Sequence, residues 1–328
     1  MITNSLEAVV AQRAAAHQQA EPKAEAVIEV SGLRKQYGEH EAVRGVDLEV
    51  FRGEIFAFLG PNGAGKTTTV EILEGFRAAS AGSVRVLGAD PSHAPQVWRE
   101  RIGIVLQESA PEPSLTVREC LDLYAGYYRA PRPTGETLSL VGLEEQADQR
   151  AASLSGGQRR RLDVALALIG DPELIFLDEP TTGFDPSARR AAWDVIDGLR
   201  SLGKTVFLTT HYMEEAERLA DRIAVIAAGR IIAEGTPRTL GGRDHSMARI
   251  SFTPPAGTTA ADLPPVLAGR AEAKSSGRLA LDSGTVAHDL YALSAWAIQR
   301  GAELDDLEVT RETLEDVYLS LVAEHQRS

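Results

Sequence analysis

Nine consecutive residues carry the most specific chemistry in the chain: Gly60-Pro-Asn-Gly-Ala-Gly-Lys-Thr-Thr68. Glycines at 60, 63 and 65 let the backbone turn successive N–H groups inward, toward an anion. Lys66 is placed to reach β- and γ-phosphates, and the Thr67 hydroxyl to ligate Mg²⁺. An apolar run, Ile55-Phe-Ala-Phe-Leu59, precedes the loop, and the helical pattern Val70-Glu-Ile-Leu73 follows it. That order of strand, glycine loop and helix adds a helix N-terminus to the phosphate site. A glycine-rich turn that binds nothing is disfavoured by the filled motif and by its context on both sides. The spacing predicts a nucleoside triphosphate site built by Gly60, Pro61, Asn62, Gly63, Ala64, Gly65, Lys66, Thr67 and Thr68.

A second group is Leu174-Ile-Phe-Leu-Asp178-Glu179, an apolar strand tipped by two carboxylates. Beside a triphosphate, Asp178 would hold Mg²⁺ through water, and Glu179 would orient and deprotonate the attacking water. A third is His211, which follows the buried-strand pattern Thr205-Val-Phe-Leu-Thr-Thr210. A lone histidine is usually structural, but this one falls at the crevice edge where open α/β sheets bind ligands, where it could hydrogen-bond a γ-phosphate. A fourth is Leu154-Ser-Gly-Gly-Gln158, in which Ser155 is the predicted N-cap of a helix and Gly156 and Gly157 leave backbone N–H groups open. The chain thus has two anion-seeking helix ends. Tyr37 reads either as a turn aromatic or as a platform for a purine ring.

The elements that must position these groups follow from periodicity. Strands are predicted at Val27–Val30, Val46–Val50, Ser83–Leu87 (behind a turn at Ala81-Gly82) and Arg101–Leu106, ending at Gln107. Residues 108–150 change character, with helical stretches from Thr116 to Tyr128 and Thr134 to Leu140, broken by Pro131 and Pro133. Ile223–Ile226 and Arg230–Glu234 predict a hairpin around Gly229, and Gly235-Thr-Pro237 with Gly241-Gly242 marks a boundary. Beyond it, strands at Ala248–Phe252, Arg278–Leu281 and Ala302–Val309 and a helix at His288–Arg300 outline a small α+β unit with no cluster of catalytic residue types. A final helix carries Leu314, Val317, Tyr318, Leu321 and Val322 on one stripe, expected to complete that unit's own core rather than to form a docking face. Residues 1–25 are expected to be a frayed helix or disordered.

Composition narrows the class. Of 328 residues, 43% are apolar, enough for one large domain and a smaller one. Forty-seven acidic against 34 basic residues leave a net charge of −13, which argues against nucleic acid as the main partner. The single cysteine, Cys120, excludes an intrachain disulfide framework and reads as a small buried residue in a reducing compartment. No apolar run approaches the ~20 residues that span a bilayer.

The ordered motif set over residues 26–240 resembles the nucleotide-binding subunits of the ATP-binding cassette (ABC) family. Gly60–Thr67 is similar to the family's Walker A motif, Gln107 to the Q-loop glutamine and Leu154–Gln158 to the signature. Leu174–Glu179 is similar to Walker B, Asp185 in Gly183-Phe-Asp-Pro186 to the D-loop, His211 to the switch histidine and Tyr37 to the adenine-stacking aromatic. Phe184 departs from the leucine more common there. The resemblance implies an α/β P-loop NTPase cassette with a RecA-like core, an antiparallel β subdomain and a helical subdomain at about 108–165, plus a C-terminal α+β domain at 243–328. It also implies ATP and Mg²⁺ as cofactors, with Gln107 joining Thr67 and Asp178 at the metal. Catalytic roles fall to Glu179, His211, Lys66 and Gln107. Two cassettes would pair head to tail as a homodimer, with Ser155, Gly156, Gly157, Gln158 and Asp185 meeting the nucleotide bound by the opposite copy.

Within the family, Thr-Thr-His-Tyr-Met-Glu-Glu-Ala-Glu217 and Leu314-Glu-Asp-Val-Tyr318 resemble the daunorubicin-resistance type, which works with separate ABC-2 permeases. That implies an ATPase on the cytoplasmic face of the cell membrane, driving export of a drug, natural product or amphipathic compound. A lipid or polysaccharide exporter, an importer and a soluble ABC ATPase outside transport remain as alternatives.

Overall fold

In the computed structural model, residues 25–106, 111–245, 247–274 and 277–327 are described. The expectations for residues 1–24 and for Gln107 lie outside them. Alternating apolar residues build the first sheet: β1 (Ala26–Tyr37) and β2 (His40–Phe51) pair antiparallel with Val30 opposite Leu48. β4 (Ala81–Val86) joins the other edge of β1, so Ala81-Gly82 belong to a strand rather than to a turn before it. A Cβ on Gly82 would come within 2.4 Å of the Gly32 carbonyl oxygen, so glycine there permits the pairing.

The central sheet contains β3 (Ile55–Leu59), β5 (Ile102–Val105), β6 (Leu174–Asp178), β7 (Thr205–Thr210), β8 (Arg222–Ala227) and β9 (Arg230–Gly235). Their order is β5-β6-β7-β3-β8-β9, parallel except for β9, which forms a hairpin with β8. Helices and the first sheet cover its two faces, which is why the strand sequences are continuous apolar runs. Phe56, Phe58 and Phe176 surround Phe207 at ring-centroid separations of 5.6–5.7 Å. The carboxyl ends of β3, β6 and β7 lie side by side, so three segments far apart in sequence emerge at one edge.

Helix α1 (Lys66–Leu73) follows β3, and α2 (Gln96–Arg99) precedes β5. The helical insertion contains α3 (Val117–Ala125), α4 (Thr134–Val141) and α5 (Gly156–Leu168). Thr116 with Glu119, and Ser155 with Gln158, close capping boxes that fix where α3 and α5 start. Cys120 is buried in this layer, and burial pushes its thiol above the usual range. Among the helices not predicted from the sequence are α6 (Pro186–Ser201), capped by Asp185, and α7 (Met213–Leu219).

The C-terminal sheet has the order β11 (Ala271–Ala273), β12 (Leu279–Ser283), β10 (Ala248–Thr253), β13 (Asp305–Thr310), all antiparallel. Ile250, Phe252, Leu279 and Leu281 pack against Leu267 of α8 (Pro265–Ala268) and Leu293 and Trp296 of α9 (Val286–Gln299). The final helix, α10 (Leu314–Arg327), does not complete this core. Because α8 and α9 already cover the apolar face, the stripe finds its partner elsewhere: Leu314 and Tyr318 pack with Ala57, Leu59, Ala216, Ile223, Val225 and Leu240 of the central unit. Arg243 strengthens this join through Glu217 on α7 (2.7 Å) and the Glu312 carbonyl (2.8 Å).

Candidate nucleotide site

The loop after β3 is shaped by close backbone approaches. A Cβ on Gly60 would lie 2.4 Å from the Ile226 carbonyl oxygen, and one on Gly65 (φ +103°) 2.6 Å from that of Ala42. Only glycine fits either position. Ala64 is buried inside the loop. The Lys66 ammonium is buried and donates to the Gly60 carbonyl (2.7 Å) and the Pro61 carbonyl (3.2 Å). Burial pulls its pKa below the ordinary lysine range, while the charges of Glu179 and Asp178 oppose that shift. A cation held this way gains most from a dianionic ligand beside it.

Asn62, Gly63, Gly65, Lys66, Thr67, Thr68, Tyr37, Asp178, Glu179 and His211 line one cleft of about 810 Å³. Tyr37 enters from the end of β1, 39% exposed, with Lys35 Nζ and the Arg77 guanidinium 5.2 and 5.7 Å from its ring centroid. Both cations lie over the ring within cation–π range, at the cleft mouth.

The carboxylate pair is held in detail. Asp178 and Thr209 are register partners on β6 and β7, and Thr209 Oγ1 donates to Asp178 Oδ1. Glu179 adopts φ +44°, a conformation that costs a residue with a side chain and persists only when its surroundings enforce it. Here its N–H donates to both the carbonyl and the hydroxyl of Thr209, each at 3.1 Å. Its Oε2 accepts from the Thr182 hydroxyl at 3.1 Å and lies 3.3 Å from His211 Nδ1. Behind the turn, buried Glu215 accepts from Thr181 Oγ1 (2.8 Å) and Trp193 Nε1 (3.0 Å). Thr182, Thr209 and Glu215 escaped the sequence reading. A register pairing between residues 31 apart in sequence leaves no local signal, although Thr209 does adjoin the Thr-His pair.

Ser155, Gly156, Gly157, Gln158 and Asp185 stand apart from this cleft and line another, of about 390 Å³. Ser155 Oγ accepts from the Gln158 N–H at 3.3 Å, and Gln158 Oε1 from the Ser155 N–H at 2.9 Å. Asp185 Oδ1 accepts from the N–H groups of Ser187 (2.8 Å) and Ala188 (2.9 Å). The two N-termini, of α5 and α6, therefore open into one shallow surface of the same chain. The first cleft combines anion-binding N–H groups, a buried ammonium and a carboxylate next to a histidine, a set suited to binding a triphosphate and activating water against it.

Comparison with known proteins agrees with that chemistry. A family profile described as "ABC transporter" matches residues 43–182, and one described as "ABC transporter domain-containing protein-like, C-terminal domain" matches residues 248–313. The chain is 46% identical over 223 residues to "Nod factor export ATP-binding protein I" of Paraburkholderia xenovorans (strain LB400), spanning 66% of this chain and 73% of that one. It is 40% identical over 315 residues to "Daunorubicin resistance ATP-binding protein DrrA3" of Streptomyces coeruleorubidus, spanning 93% of this chain and 98% of that one. Among solved structures, cbiO1 from Clostridium perfringens, described as part of the ABC transporter complex cbiONQ, aligns at TM-score 0.60 and 28% identity over 65% of this chain and 90% of that one. A dimeric cassette described as a post-hydrolysis state of MJ0796 bound to ADP and Pi aligns at TM-score 0.57 and 27% identity, over 64% and 98%.

Proposed function

The chain belongs to the ATP-binding cassette transporter family, and from that premise we propose that it hydrolyses ATP in a head-to-tail pair of cassettes to drive export through a separate ABC-2-type permease. The observation that carries this reading is the separation of the two anion-binding surfaces. The cleft around Lys66 and the surface around Ser155 share no residue. A nucleotide needing both must lie between two copies, most simply as a homodimer.

Each residue then has a role. Loop N–H groups from Gly60 to Thr68 and the Lys66 ammonium hold the phosphates, and Tyr37 stacks on the base. Thr67 and Asp178 line the same cleft and offer oxygen donors suited to a hard cation. They would hold Mg²⁺, Asp178 through water, with Gln107 as a further ligand. Bound Mg²⁺ supplies neutralisation of phosphate charge. Glu179 takes a proton from the attacking water as a new P–O bond forms and the bond to the ADP oxygen breaks. His211 holds Glu179 and reaches toward the γ-phosphate. Ser155, Gly156, Gly157 and Gln158, with Asp185 beside them, meet that phosphate from the second copy. A γ-phosphate touched by both copies gives ATP a higher affinity for the closed pair, and hydrolysis removes that preference.

No helix among the described residues is long and apolar enough to cross a membrane. Movement must therefore pass to a partner that does. A recess of about 460 Å³ beside β5, lined by Phe76, Leu106, Tyr124 and Tyr128, supports a docking place for it. Phe76, Leu106 and Tyr124 are exposed there, an apolar patch suited to a permease segment. The relatives named for Nod factor export and daunorubicin resistance favour a natural product or amphipathic drug as cargo. The chain would then sit on the cytoplasmic face of the cell membrane, held by the permease.

A tagged Glu179→Gln chain, captured from detergent-solubilised native membranes with ATP and Mg²⁺, tests the reading by mass spectrometry. A polytopic membrane protein in stoichiometric amount is the expected companion. Recovery of ribosomal or DNA-associated proteins alone would overturn the transport role.

A further inference from the structure

Arg160 occupies the second turn of α5, five residues after Ser155, and is 8% exposed. Its guanidinium makes its hydrogen bonds to backbone carbonyls. Nε donates to the Pro180 carbonyl at 3.1 Å, Nη2 to that of Asp178 at 2.9 Å, and Nη1 to that of Leu106. The nearest paired carboxylate, Asp163 Oδ2, lies 3.8 Å from Nη1. One planar fork thus joins three segments: the helix that begins at the Ser155 surface, the turn that carries Glu179, and the last described residue before Gln107. A lysine has one nitrogen and cannot span three carbonyls on separate segments. Burying a guanidinium against carbonyls is costly, and burial pulls its pKa down from the ordinary arginine range.

The turn is held from the opposite side as well, because Glu215 accepts from Thr181 and from Trp193 on α6. With Thr209 fixing Asp178 and the Glu179 N–H, the stretch from Asp178 to Thr181 has little freedom to move alone. Displacement of α5 must either break the Arg160 bonds or carry the turn along.

We propose that Arg160 is a positioning residue that links the Ser155 surface to Glu179 of the same chain, so that each nucleotide site of the pair responds to the other. This rests on the head-to-tail pairing proposed above. A phosphate from the opposite copy, engaging the α5 N-terminus, shifts α5; Arg160 passes the shift to the Asp178 and Pro180 carbonyls on either side of Glu179. Occupancy of one site thereby sets the position of the base in the other.

The test uses the purified full chain with Arg160→Met and Arg160→Lys, with Ser155→Arg as the reference for pairing. Turnover against ATP concentration, affinity for a fluorescent ATP analogue and thermal melting are measured for each. In Arg160→Met, kcat should fall roughly 10–100-fold, as for a catalytic group displaced by about an ångström. The Hill coefficient should drop from above about 1 toward about 1. Nucleotide affinity should stay near that of the unaltered chain, while the melting temperature of Arg160→Met falls because three carbonyls lose their donor. Arg160→Lys, which keeps the charge, should fall between the two and serves if the methionine variant does not fold. Unchanged turnover and cooperativity in either variant would overturn the proposal. So would parallel losses of turnover and nucleotide affinity with cooperativity unchanged, which would make Arg160 a structural brace. If Ser155→Arg retains full turnover, the pairing itself is wrong and the proposal falls with it. If Ser155→Arg is inactive while the Arg160 variants are normal, the pairing stands and the link alone fails.

Discussion

His211 Nδ1 lies 3.3 Å from Glu179 Oε2, joining the residue after β7 to the residue after the neighbouring β6. The Thr182 hydroxyl reaches the same oxygen at 3.1 Å. The carboxylate is therefore oriented from two sides, over a backbone whose positive φ is enforced by Thr209. Such orientation suits a base whose task depends on the position of one water.

Glu179→Gln should keep ATP binding and lower turnover roughly 10²–10⁴-fold, the contribution of a positioned general base. Phosphate release under saturating ATP reads the rate directly. Wild-type turnover would remove Glu179 from that role.

Tyr37→Ala should weaken ATP binding by about 1 kcal/mol, roughly five- to tenfold in Kd, because a stacking face is lost while the phosphate loop is untouched. The kcat should hold at saturation. Equal weakening for inorganic triphosphate, which has no base, would contradict the stacking role.

Burial pushes the Glu74 carboxyl up to about 8, and the charges of Asp178 and Glu71 push in the same direction. The folded state therefore favours the protonated form. The stability this confers is fully present below the unfolded-chain value of 4.5 and is lost as pH rises through about 8. Glu74→Gln, neutral at every pH, should melt close to the unaltered chain near pH ~5 and a few degrees above it near pH ~8.5. Melting curves at a series of pH values check this. A constant difference across the range would show that Glu74 titrates normally.

The nucleotide cleft was legible because its chemistry is local: Gly60–Thr68, Asp178-Glu179 and His211 each follow a buried apolar strand, and such strands end at one edge of a parallel sheet. Ser155 was legible as a cap for the same reason. What stayed hidden depends on partners distant in sequence. The register of Asp178 with Thr209, the positive φ of Glu179 and the three carbonyls around Arg160 have no sequence spacing of their own. Helix α6 could have been read, since Asp185-Pro186 is an N-cap followed by proline at the first helical position. The stripe on α10 was read as apolar, but periodicity does not say which surface a stripe covers.

That stripe supplies a prediction of its own. Leu314 is fully buried against the central unit, so Leu314→Ala should cost about 2–5 kcal/mol of stability. The central unit should lose hydrogen-exchange protection along β8 and α7. Loosening confined to β10–β13 would contradict the observed packing.

In the proposed pair, ATP lies between the Lys66 cleft of one copy and the Ser155 surface of another. Sedimentation velocity of Glu179→Gln, with and without ATP and Mg²⁺, tests it most directly. Glu179→Gln should be a monomer that becomes a dimer with ATP, and should stay a monomer under both conditions once Ser155→Arg is added, with ATP affinity retained. A chain that binds ATP yet stays monomeric as Glu179→Gln, or a dimer that survives Ser155→Arg, would contradict it.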